Sequence, residues 1–391
     1  MKKLIFINSH PIQYFAPLYQ YLVQQNFDME VWYCSDESIK GEIDKEFGVK
    51  VKWDIPLLSG YKNKFFKNYA FNKGVHQGFF GLFNLGLVPA ILKGPKCIFV
   101  VHGWKYFSDI LSLFTAKIKG HKVALRAEMP YNQEVLKTGV TQNVKIWVLK
   151  YLLFKCVDYF LYLGEQNKKY YLFLGISEDR LIKMPYVVDN TRFREAADQL
   201  RPQKNSLRNK LNIPLNAFVI LFSGKYIQKK RPLDLLKSFK QLDNSNAFLI
   251  MMGDGELRNE MESYITEYNV KNILLTGFIN QSSVLDYYAV SNIFVMCSGS
   301  GETWGLSVNE AMNFDLPLVI SDITGCASDL VLEGENGFVF ETGNIDDLTS
   351  KLAYCINNPS VINFLGKKSG EIINNFSYKE IEIALKKLVG C

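Results

Sequence analysis

The chain has 391 residues, of which 48% are hydrophobic and 21% are charged. This is the balance of a globular protein of about two domains, and it excludes a disordered chain, a collagen-like fibre and a small disulfide scaffold. The net charge of +6 is concentrated, because residues 51–150 carry 15 basic and only 4 acidic side chains. One surface of the first half should therefore attract anions such as lipid headgroups, a phosphorylated acceptor or nucleic acid.

Short β-branched and aromatic runs recur with helix-length gaps between them, which is typical of parallel βαβ sheets. In the first half we predict strands at Lys3–Asn8, Met29–Cys34, Cys97–Val101, Val123–Arg126 and Tyr159–Leu163. In the second half we predict strands at Phe218–Ser223, Phe248–Gly253, Ile273–Gly277, Ile293–Cys297, Leu318–Ser321 and Gly337–Phe340. Several runs are apolar at every position, as expected of strands with helices on both faces.

The segment between the two series is charged and has few large apolar residues, which is typical of a linker that includes a short helix. We therefore predict an α/β protein with a Rossmann-like domain over residues 1–190, a linker over 191–214, a second Rossmann-like domain over 215–375 and a C-terminal helix within 376–391. Two doubly wound domains of this kind would face each other across a central cleft, with ligands at the carboxyl ends of the strands.

The cysteine pattern favours the cytosol, since seven cysteines are scattered without a CxxC pair or a metal-binding spacing. The apolar run near the start, Leu4–Ile7, is too short for a signal peptide. The longest apolar stretches, 78–92 and 146–154, fall short of the roughly 18–20 residues that cross a bilayer. We therefore predict neither a leader nor a transmembrane helix.

The most informative segment is 298–312, which follows a predicted strand and continues as a helix pattern. Its glycines predict a tight turn, and the N–H groups of the following helix start suit a phosphate or a sugar hydroxyl. Glu302 precedes the helix and Glu310 lies inside it. This spacing indicates two hydroxyl acceptors rather than a pair of metal ligands.

Glu302 and Glu310 resemble the E-x7-E signature of the retaining glycosyltransferases of family 4, which have the GT-B fold. Four further motifs match that family in order. They are Gly224-Lys225 followed by Lys230, the turn Gly253-Asp254-Gly255, the loop Gly277-Phe278-Ile279 and the run Asn336–Phe340. The resemblance covers residues 215–345 strongly and is weak before them.

The resemblance implies that the second domain binds a UDP- or GDP-linked sugar. Glu310 would accept from the ribose hydroxyls and Glu302 from a hydroxyl of the donor sugar, while Lys225 and Lys230 would hold the diphosphate. The remaining donor-binding residues would be Gly224, Gly253, Gly255, Phe278, Ile279, Thr303, Trp304, Gly305 and Leu306. The last helix, Tyr378–Val389, would cross back onto the first domain, as in relatives.

Fixed cations and N–H donors can stabilise the charge that grows on a departing diphosphate without a metal ion. The sequence has no Asp-x-Asp triplet, so we predict no metal and no cofactor. Some of these residues have simpler interpretations. Gly253 and Gly255 would serve either the turn or the ligand, and Lys229 and Arg231 are interpreted as an exposed charged surface.

Polar residues also follow predicted strands of the first half. His10 and Gln13 follow the first strand, where they either line the cleft or pack in the turn. His102 follows the strand Cys97–Val101. Many relatives have a histidine after the next strand, where this chain has Arg126 and Glu128, so His102, Arg126 and Glu128 all remain candidates for the group near the anomeric carbon.

The segment 61–73 interleaves four lysines with five aromatic rings. This pattern suits an anionic membrane interface, although stacking on nucleic-acid bases and an ordinary solvated loop are alternatives. The segment matches no RNA-binding module, so we predict peripheral association with the inner face of a membrane and no nucleic-acid partner.

Together these features predict a retaining hexosyltransferase that acts on a glycan or lipid-linked acceptor in cell-surface polysaccharide biosynthesis, such as that of lipopolysaccharide or capsule. Two alternatives use the same fold. One is a sugar-nucleotide epimerase or hydrolase, and the other is a binding protein that recognises a nucleotide or a glycan without turnover.

Overall fold

The computed structural model describes residues 2–41, 43–44, 49–50 and 53–390. Within these residues the first structural unit consists of 2–41, 53–186 and 378–390, and the second of 43–44, 49–50 and 187–377. The chain passes from the first unit to the second between Tyr186 and Val187, close to the predicted end of the first domain at residue 190.

The strands up to residue 186 are β1 Leu4–Asn8, β2 Met29–Tyr33, β3 Ile43–Asp44, β4 Val49–Lys50, β5 Asn63–Phe65, β6 Ile98–His102, β7 Lys122–Arg126, β8 Tyr159–Tyr162 and β9 Leu181–Lys183. β3 and β4 pair with each other in antiparallel register and form a separate two-stranded sheet. The other seven form the parallel sheet of the first unit, in the order β5-β2-β1-β6-β7-β8-β9.

All five strands predicted for the first half are confirmed, with ends that differ by one residue at most. They were identifiable because most of their residues are apolar, as in Leu4–Asn8, whose five residues are all buried in the structure. The edge strands β5 and β9 were not predicted, because three residues are too few to establish an apolar run.

The helices that accompany this sheet are α1 Phe15–Gln24, α2 Glu37–Lys40, α3 Leu87–Lys93, α4 Phe107–Ile118, α5 Tyr131–Glu134, α6 Val140–Tyr151 and α7 Glu165–Phe173. They pack on a continuous apolar core that includes Phe99, Leu125 and Phe160. None of the helices in the described part of the chain is long and apolar enough to cross a membrane.

The second unit contains β10 Phe218–Ser223, β11 Ala247–Met252, β12 Ile273–Leu275, β13 Ile293–Met296, β14 Leu318–Ser321 and β15 Gly337–Phe340. These strands form a parallel sheet in the order β12-β11-β10-β13-β14-β15. All six predicted strands are confirmed, and three of them have their predicted bounds.

The helices from residue 187 onward are α8 Asn190–Leu200, α9 Lys204–Lys210, α10 Pro232–Leu242, α11 Arg258–Glu267, α12 Val284–Val290, α13 Leu306–Met312, α14 Ala327–Leu330, α15 Ile345–Asn357, α16 Pro359–Ile372 and α17 Tyr378–Gly390. The first two occupy most of the predicted linker 191–214, and both pack on α12. The charged composition hid this packing, since α8 buries only Phe193 and Ala197, while the buried guanidinium of Arg208 in α9 donates to the Val290 carbonyl at 2.8 Å.

The terminal helix α17 belongs to the first unit, where it contacts α1 and β9. Its buried Glu382 accepts a hydrogen bond from the Tyr21 hydroxyl at 2.7 Å and forms ion pairs with Lys379 and Lys386. The hydrogen bonds from Lys386 and Tyr21 lower the pKa of Glu382 to about 2. The carboxylate is therefore ionised at neutral pH.

The rings of segment 61–73, which we interpreted as suited to a membrane interface, differ in their exposure. Tyr61 is buried, with its hydroxyl 2.8 Å from that of Tyr33, and Phe66 is also buried. Only Tyr69 and Phe71, two of the five rings, are exposed. The other three rings are buried or half-buried, so only part of the segment is available to a membrane.

Candidate functional site

The strand order of the second unit creates a switch point between β10 and β13. The chain adds β11 and β12 on one side of β10, and then β13, β14 and β15 on the other. In open parallel sheets, ligands bind at the carboxyl ends of the strands beside such a point. The loops that follow β10, β11, β12 and β13 carry the residues predicted to bind the donor.

The loops after β10 and β11 approach each other more closely than side chains would allow. The Gly224 N–H donates to the Met252 carbonyl at 2.9 Å. Gly253 has φ +143°, and a Cβ atom there would lie 1.9 Å from the Gly224 oxygen. Gly253 is therefore required by the backbone itself, whether or not a ligand also approaches it. Lys225, which follows Gly224, is half-buried in this loop.

A further backbone contact joins the loop after β12. The Gly253 N–H donates to the Gly277 carbonyl at 3.1 Å, and Gly277 precedes the half-buried Phe278 and Ile279. Beside them Asp254 accepts from Arg258 at 3.1 Å. The loops after β10, β11 and β12 are thus joined by backbone hydrogen bonds at the carboxyl ends of these strands.

An ion pair spans the switch point. Lys230, after β10, contacts the carboxylate of Glu302, after β13, and the Gly299 N–H donates to the Lys229 carbonyl at 2.7 Å. Glu302 is only 8% exposed. Burial alone would raise its pKa, but the positive charges of Lys230 and Lys229 outweigh that effect and hold the pKa below its usual range. Glu302 is therefore an anion at neutral pH.

Lys229 and Arg231, which we interpreted as an exposed charged surface, are half-buried and packed against neighbouring loops. Gly301 has φ +100°, and a Cβ there would lie 3.0 Å from Cδ of Lys229, so the lysine stem packs on the glycine-rich loop. Arg231 donates to Asp234 at 2.6 Å and lies against Gly343, where a Cβ would be 2.8 Å from its guanidinium. Both side chains therefore help to hold the neighbouring loops in place.

Gly305 is the N-cap of helix α13 and has a conformation that favours glycine, with φ +105°, and a Cβ there would lie 2.7 Å from the Met296 sulfur. The neighbouring Trp304 is buried, and its indole N–H donates to Asn309 at 2.9 Å. The indole therefore fixes the loop to the helix, while Thr303 and Leu306 remain half-buried.

Glu310 is 2% exposed and held by two side chains from the preceding part of the unit. The Tyr288 hydroxyl donates to its carboxylate at 2.7 Å and the Gln281 amide at 3.3 Å. Gln281 in turn accepts from Arg192 at 3.3 Å. Burial with two donors is not the environment of a solvated helix carboxylate, so the orientation of Glu310 is set before any ligand arrives.

Sequence reasoning missed Tyr288, Gln281 and Arg192, because contacts between segments far apart in the chain leave no local pattern. It also missed Gly325, which follows β14. The Gly325 N–H donates to the Glu302 carbonyl at 3.1 Å, and a Cβ on it would lie 2.0 Å from the Thr303 oxygen. A glycine is required there to support the loop that carries Glu302.

In the first unit, β1 and β6 are neighbours in the sheet, so His10 and His102 lie at the ends of adjacent strands. Burial lowers the pKa of His10 to about 4, with smaller effects from the charges of His76 and Lys105. Burial, together with the charge of Arg126, holds the pKa of His102 well below its usual range. Both imidazoles are therefore neutral at pH 7. Gln13 is also buried.

Arg126 lies opposite His102 in the β6–β7 register. Its guanidinium is 4.3 Å from the Tyr186 ring centroid and 5.1 Å from that of Phe15. Burial lowers its pKa to about 10, which leaves it charged at pH 7. Glu128, two residues on, is exposed. Of the three candidates for the group near the anomeric carbon, two are thus held in place by packing.

The first unit also contains a cavity of about 350 Å³ after β2 and β5, which the sequence did not predict. It is lined by Cys34, Ser35, Asp36, Glu37, Lys40, Phe65, Phe66, Lys67, Asn68 and Lys73. Its lining is thus mostly polar and charged. Over the described ranges of the chain, no three His, Cys, Asp or Glu side chains cluster as metal ligands.

Residues 203–375 match the family model of the group 1 glycosyl transferases. Among curated proteins, the chain is 26% identical over 168 residues to an uncharacterized glycosyltransferase of Methanocaldococcus jannaschii, covering 43% of this chain and 46% of that protein. It is 26% identical over 183 residues to the capsular polysaccharide biosynthesis glycosyltransferase CapM of Staphylococcus aureus, covering 46% and 47%. The chain thus matches about half the length of these relatives.

Among solved structures, HepE of Anabaena in complex with UDP and glucose is similar over 100% of both chains, with a TM-score of 0.74 and 14% identity. At this identity the similarity establishes the fold. The protein therefore has the α/β architecture of the GT-B glycosyltransferases, with two parallel Rossmann-like sheets, as its motifs predicted.

Proposed function

We propose that this protein is a retaining, metal-independent glycosyltransferase of family 4, which transfers a hexose from a UDP- or GDP-linked sugar to a glycan or lipid-linked acceptor. The observation that carries the proposal is the switch point of the second unit, where Lys230 pairs with the buried Glu302 while Tyr288 and Gln281 orient Glu310. The family match over residues 203–375 and a relative in capsular polysaccharide biosynthesis support it.

The donor would bind across the loops of this switch point. Phe278 and Ile279, which follow the fastened turn at Gly277, would pack against the nucleobase. Each oxygen of a carboxyl group can accept more than one hydrogen bond, so Glu310 can accept from a ribose hydroxyl in addition to Tyr288 and Gln281. Glu302, ionised at neutral pH, would accept from a hydroxyl of the donor sugar.

Transfer breaks the bond between the anomeric carbon and the phosphate oxygen, and the leaving nucleotide gains negative charge. Lys225 and Lys230 would stabilise that charge, because a fixed cation interacts more strongly with the departing diphosphate than with the intact donor. In a retaining transfer, the departing phosphate oxygen takes the proton of the acceptor hydroxyl on the same face of the sugar. No separate protein base is then needed. Because the proposed reaction uses no metal ion, a chelator such as EDTA should leave its rate unchanged.

We further propose that the first unit holds the acceptor. Its basic excess over residues 51–150 suits a phosphorylated or lipid-linked acceptor. His10, Gln13, His102 and Arg126 would contact the acceptor or the reacting sugar, with both histidines acting as neutral hydrogen-bonding groups. Glu128, which is exposed, is the candidate at this strand end that a ligand can reach without displacing protein packing.

A panel of UDP-, GDP-, ADP- and CMP-linked sugars tests this proposal through the shift in melting temperature, followed by product analysis. A bound donor should raise the Tm in proportion to log concentration. Transfer to an added acceptor supports the proposal. A rearranged sugar nucleotide as the only product would indicate an epimerase instead. Free sugar alone would indicate a hydrolase, and binding without turnover would indicate a binding protein.

A further inference from the structure

Helix α6, Val140–Tyr151, has an apolar surface that is exposed. Val140, Val144, Trp147 and Tyr151 are each 47–77% exposed. Their spacing of three or four residues places them along one side of a helix with 3.6 residues per turn. Elsewhere on the helix, Gln142 and Leu149 are buried against the protein. We call the four exposed residues the α6 stripe.

Further exposed apolar side chains lie next to the α6 stripe in the sequence. Leu136 precedes it at 65% exposure and Leu152 follows it at 48%. The rings of Trp147 and Tyr151 lie side by side, with centroids 6.1 Å apart. Exposed apolar groups that stand singly are ordinary, but a contiguous row of this kind indicates an interaction surface.

The charge around the stripe is positive. Residues 136–156 contain four lysines and no aspartate or glutamate. Lys137 and Lys145 form ion pairs with the buried Glu134, whereas Lys150 and Lys155 are exposed near the C-terminal end of the stripe. An apolar helix side with flanking lysines and an exposed Trp and Tyr has the composition of helices that lie in a membrane interface.

A second copy of this chain fits the surface less well. A symmetric dimer through the α6 stripe would place equivalent patches face to face. The contact would bring only lysines together, because residues 136–156 contain no aspartate or glutamate to pair with the lysines of the other copy, and like charges across an interface are unfavourable. An anionic bilayer instead offers phosphate to the lysines, lipid tails to the valines and an interfacial layer to the two aromatic rings.

We propose that the α6 stripe docks this protein on an anionic lipid bilayer, with helix α6 parallel to the membrane surface. This replaces the segment 61–73 as the membrane-facing element. The inference does not depend on the donor chemistry, because it concerns a surface of the first unit alone and is tested without any sugar nucleotide.

The test is co-sedimentation of the full chain with large vesicles of phosphatidylcholine alone or mixed with phosphatidylglycerol. We expect binding to the anionic vesicles that weakens as salt increases. The variant V144S/W147S should lower the partition coefficient by about tenfold or more, since it removes two of the inserted groups. The variant K150E/K155E should weaken binding to anionic vesicles and leave the phosphatidylcholine result unchanged.

The matched control is F71S/F364S, which removes two exposed rings located elsewhere in the chain and should bind like the unmodified protein. Trp147 also supplies a direct signal, because it is the one exposed tryptophan of the described residues. Lipids brominated on their tails should quench the fluorescence of the parent protein more strongly than that of W147F.

Three results would overturn the proposal. The parent protein could fail to bind anionic vesicles, V144S/W147S could bind as the parent does, or the control F71S/F364S could lose as much binding as V144S/W147S. A dimer in analytical ultracentrifugation that V144S/W147S dissociates, without vesicle binding, would assign the surface to a second copy. The rise in Tm with a nucleotide sugar is measured on every variant as well. If all variants keep it, a failure of the membrane proposal leaves the proposed function unaffected.

Discussion

The switch points of the two units, between β1 and β6 and between β10 and β13, have the same topology but differ in the charges that they carry. In the second unit two carboxylates, Glu302 and Glu310, are buried with donors around them. In the first unit two half-buried imidazoles, His10 and His102, are neutral at pH 7, and the charged Arg126 lies opposite His102. One edge holds fixed charge ready for a ligand, whereas the other offers neutral hydrogen-bonding groups and a cation. Under the proposed function, this difference separates the donor side from the acceptor side.

The greatest loss of activity should follow removal of the cation that pairs with Glu302 in the second unit. Lys230→Met should lower kcat by about 100- to 1,000-fold, because the departing diphosphate loses a fixed positive group. It should also lower the free energy of unfolding by about 3 kcal/mol, because Glu302 is left as a buried charge without its partner. Steady-state kinetics and urea unfolding measure the two effects.

The double variant K230M/E302Q is the matched control for stability. Removal of both charges should recover much of the lost unfolding free energy while transfer stays impaired. If K230M alone unfolds like the parent protein, the ion pair does not stabilise the switch point.

The next effect concerns the side chains that orient Glu310. Tyr288→Phe removes a hydrogen bond that orients Glu310 and leaves a buried oxygen without this donor, which costs about 1–3 kcal/mol, so nucleotide affinity should fall by about tenfold. Tyr287→Phe on the same helix is the matched control, because the hydrogen bond to Glu310 comes from Tyr288 rather than from Tyr287. Titration calorimetry with the nucleoside diphosphate alone gives both affinities, and equal values for the two variants would contradict the assignment of Tyr288.

A smaller effect distinguishes the first unit from the second. The pKa of His10 is about 4 and that of His102 is lower than usual, so neither titrates near pH 6.5. The rate of transfer should therefore show no step from histidine ionisation between about pH 6 and pH 8. A step near pH 6.5 that disappears in His102→Asn would show that this imidazole is charged during the reaction.

The weakest effect is expected at helix α17, away from both switch points. The pKa of Glu382 is lowered from 4.5 to about 2, so the carboxylate stabilises the folded protein above the unfolded-state pKa, and this contribution is lost as the pH falls from 4.5 toward 2. Glu382→Gln should lower stability at pH 7 and show a shallower loss of stability over that acid range. Thermal unfolding followed from pH 7 to pH 3 measures both, and identical pH profiles would contradict the role of the helix contact.

Local features of the molecule could be predicted from its sequence. The strands β10, β14 and β15 have their predicted bounds because each is a short apolar run between turn residues. The carboxylates Glu302 and Glu310 were found because a loop and the helix that follows it leave a fixed spacing. The edge strands β5 and β9 are too short for such a pattern.

Contacts between distant segments could not be predicted. The pairing of Lys230 with Glu302 depends on β10 and β13 being neighbours, and one sequence does not give strand order. Arg192 was assigned to a linker, although it supports Gln281 and through it Glu310. The rings of segment 61–73 were interpreted as exposed because composition does not show which side of β5 packs on the sheet.

The proposed function depends above all on the binding of a nucleoside diphosphate at the switch point of the second unit through Glu310. Calorimetric titration of the parent protein and of Glu310→Ala with UDP and GDP measures this binding. We expect one of the two nucleotides to bind the parent protein, and Glu310→Ala to bind it about tenfold more weakly, because the variant loses a hydrogen bond to the ribose. Failure of both nucleotides to bind, or equal affinity in the variant, would contradict the proposed function.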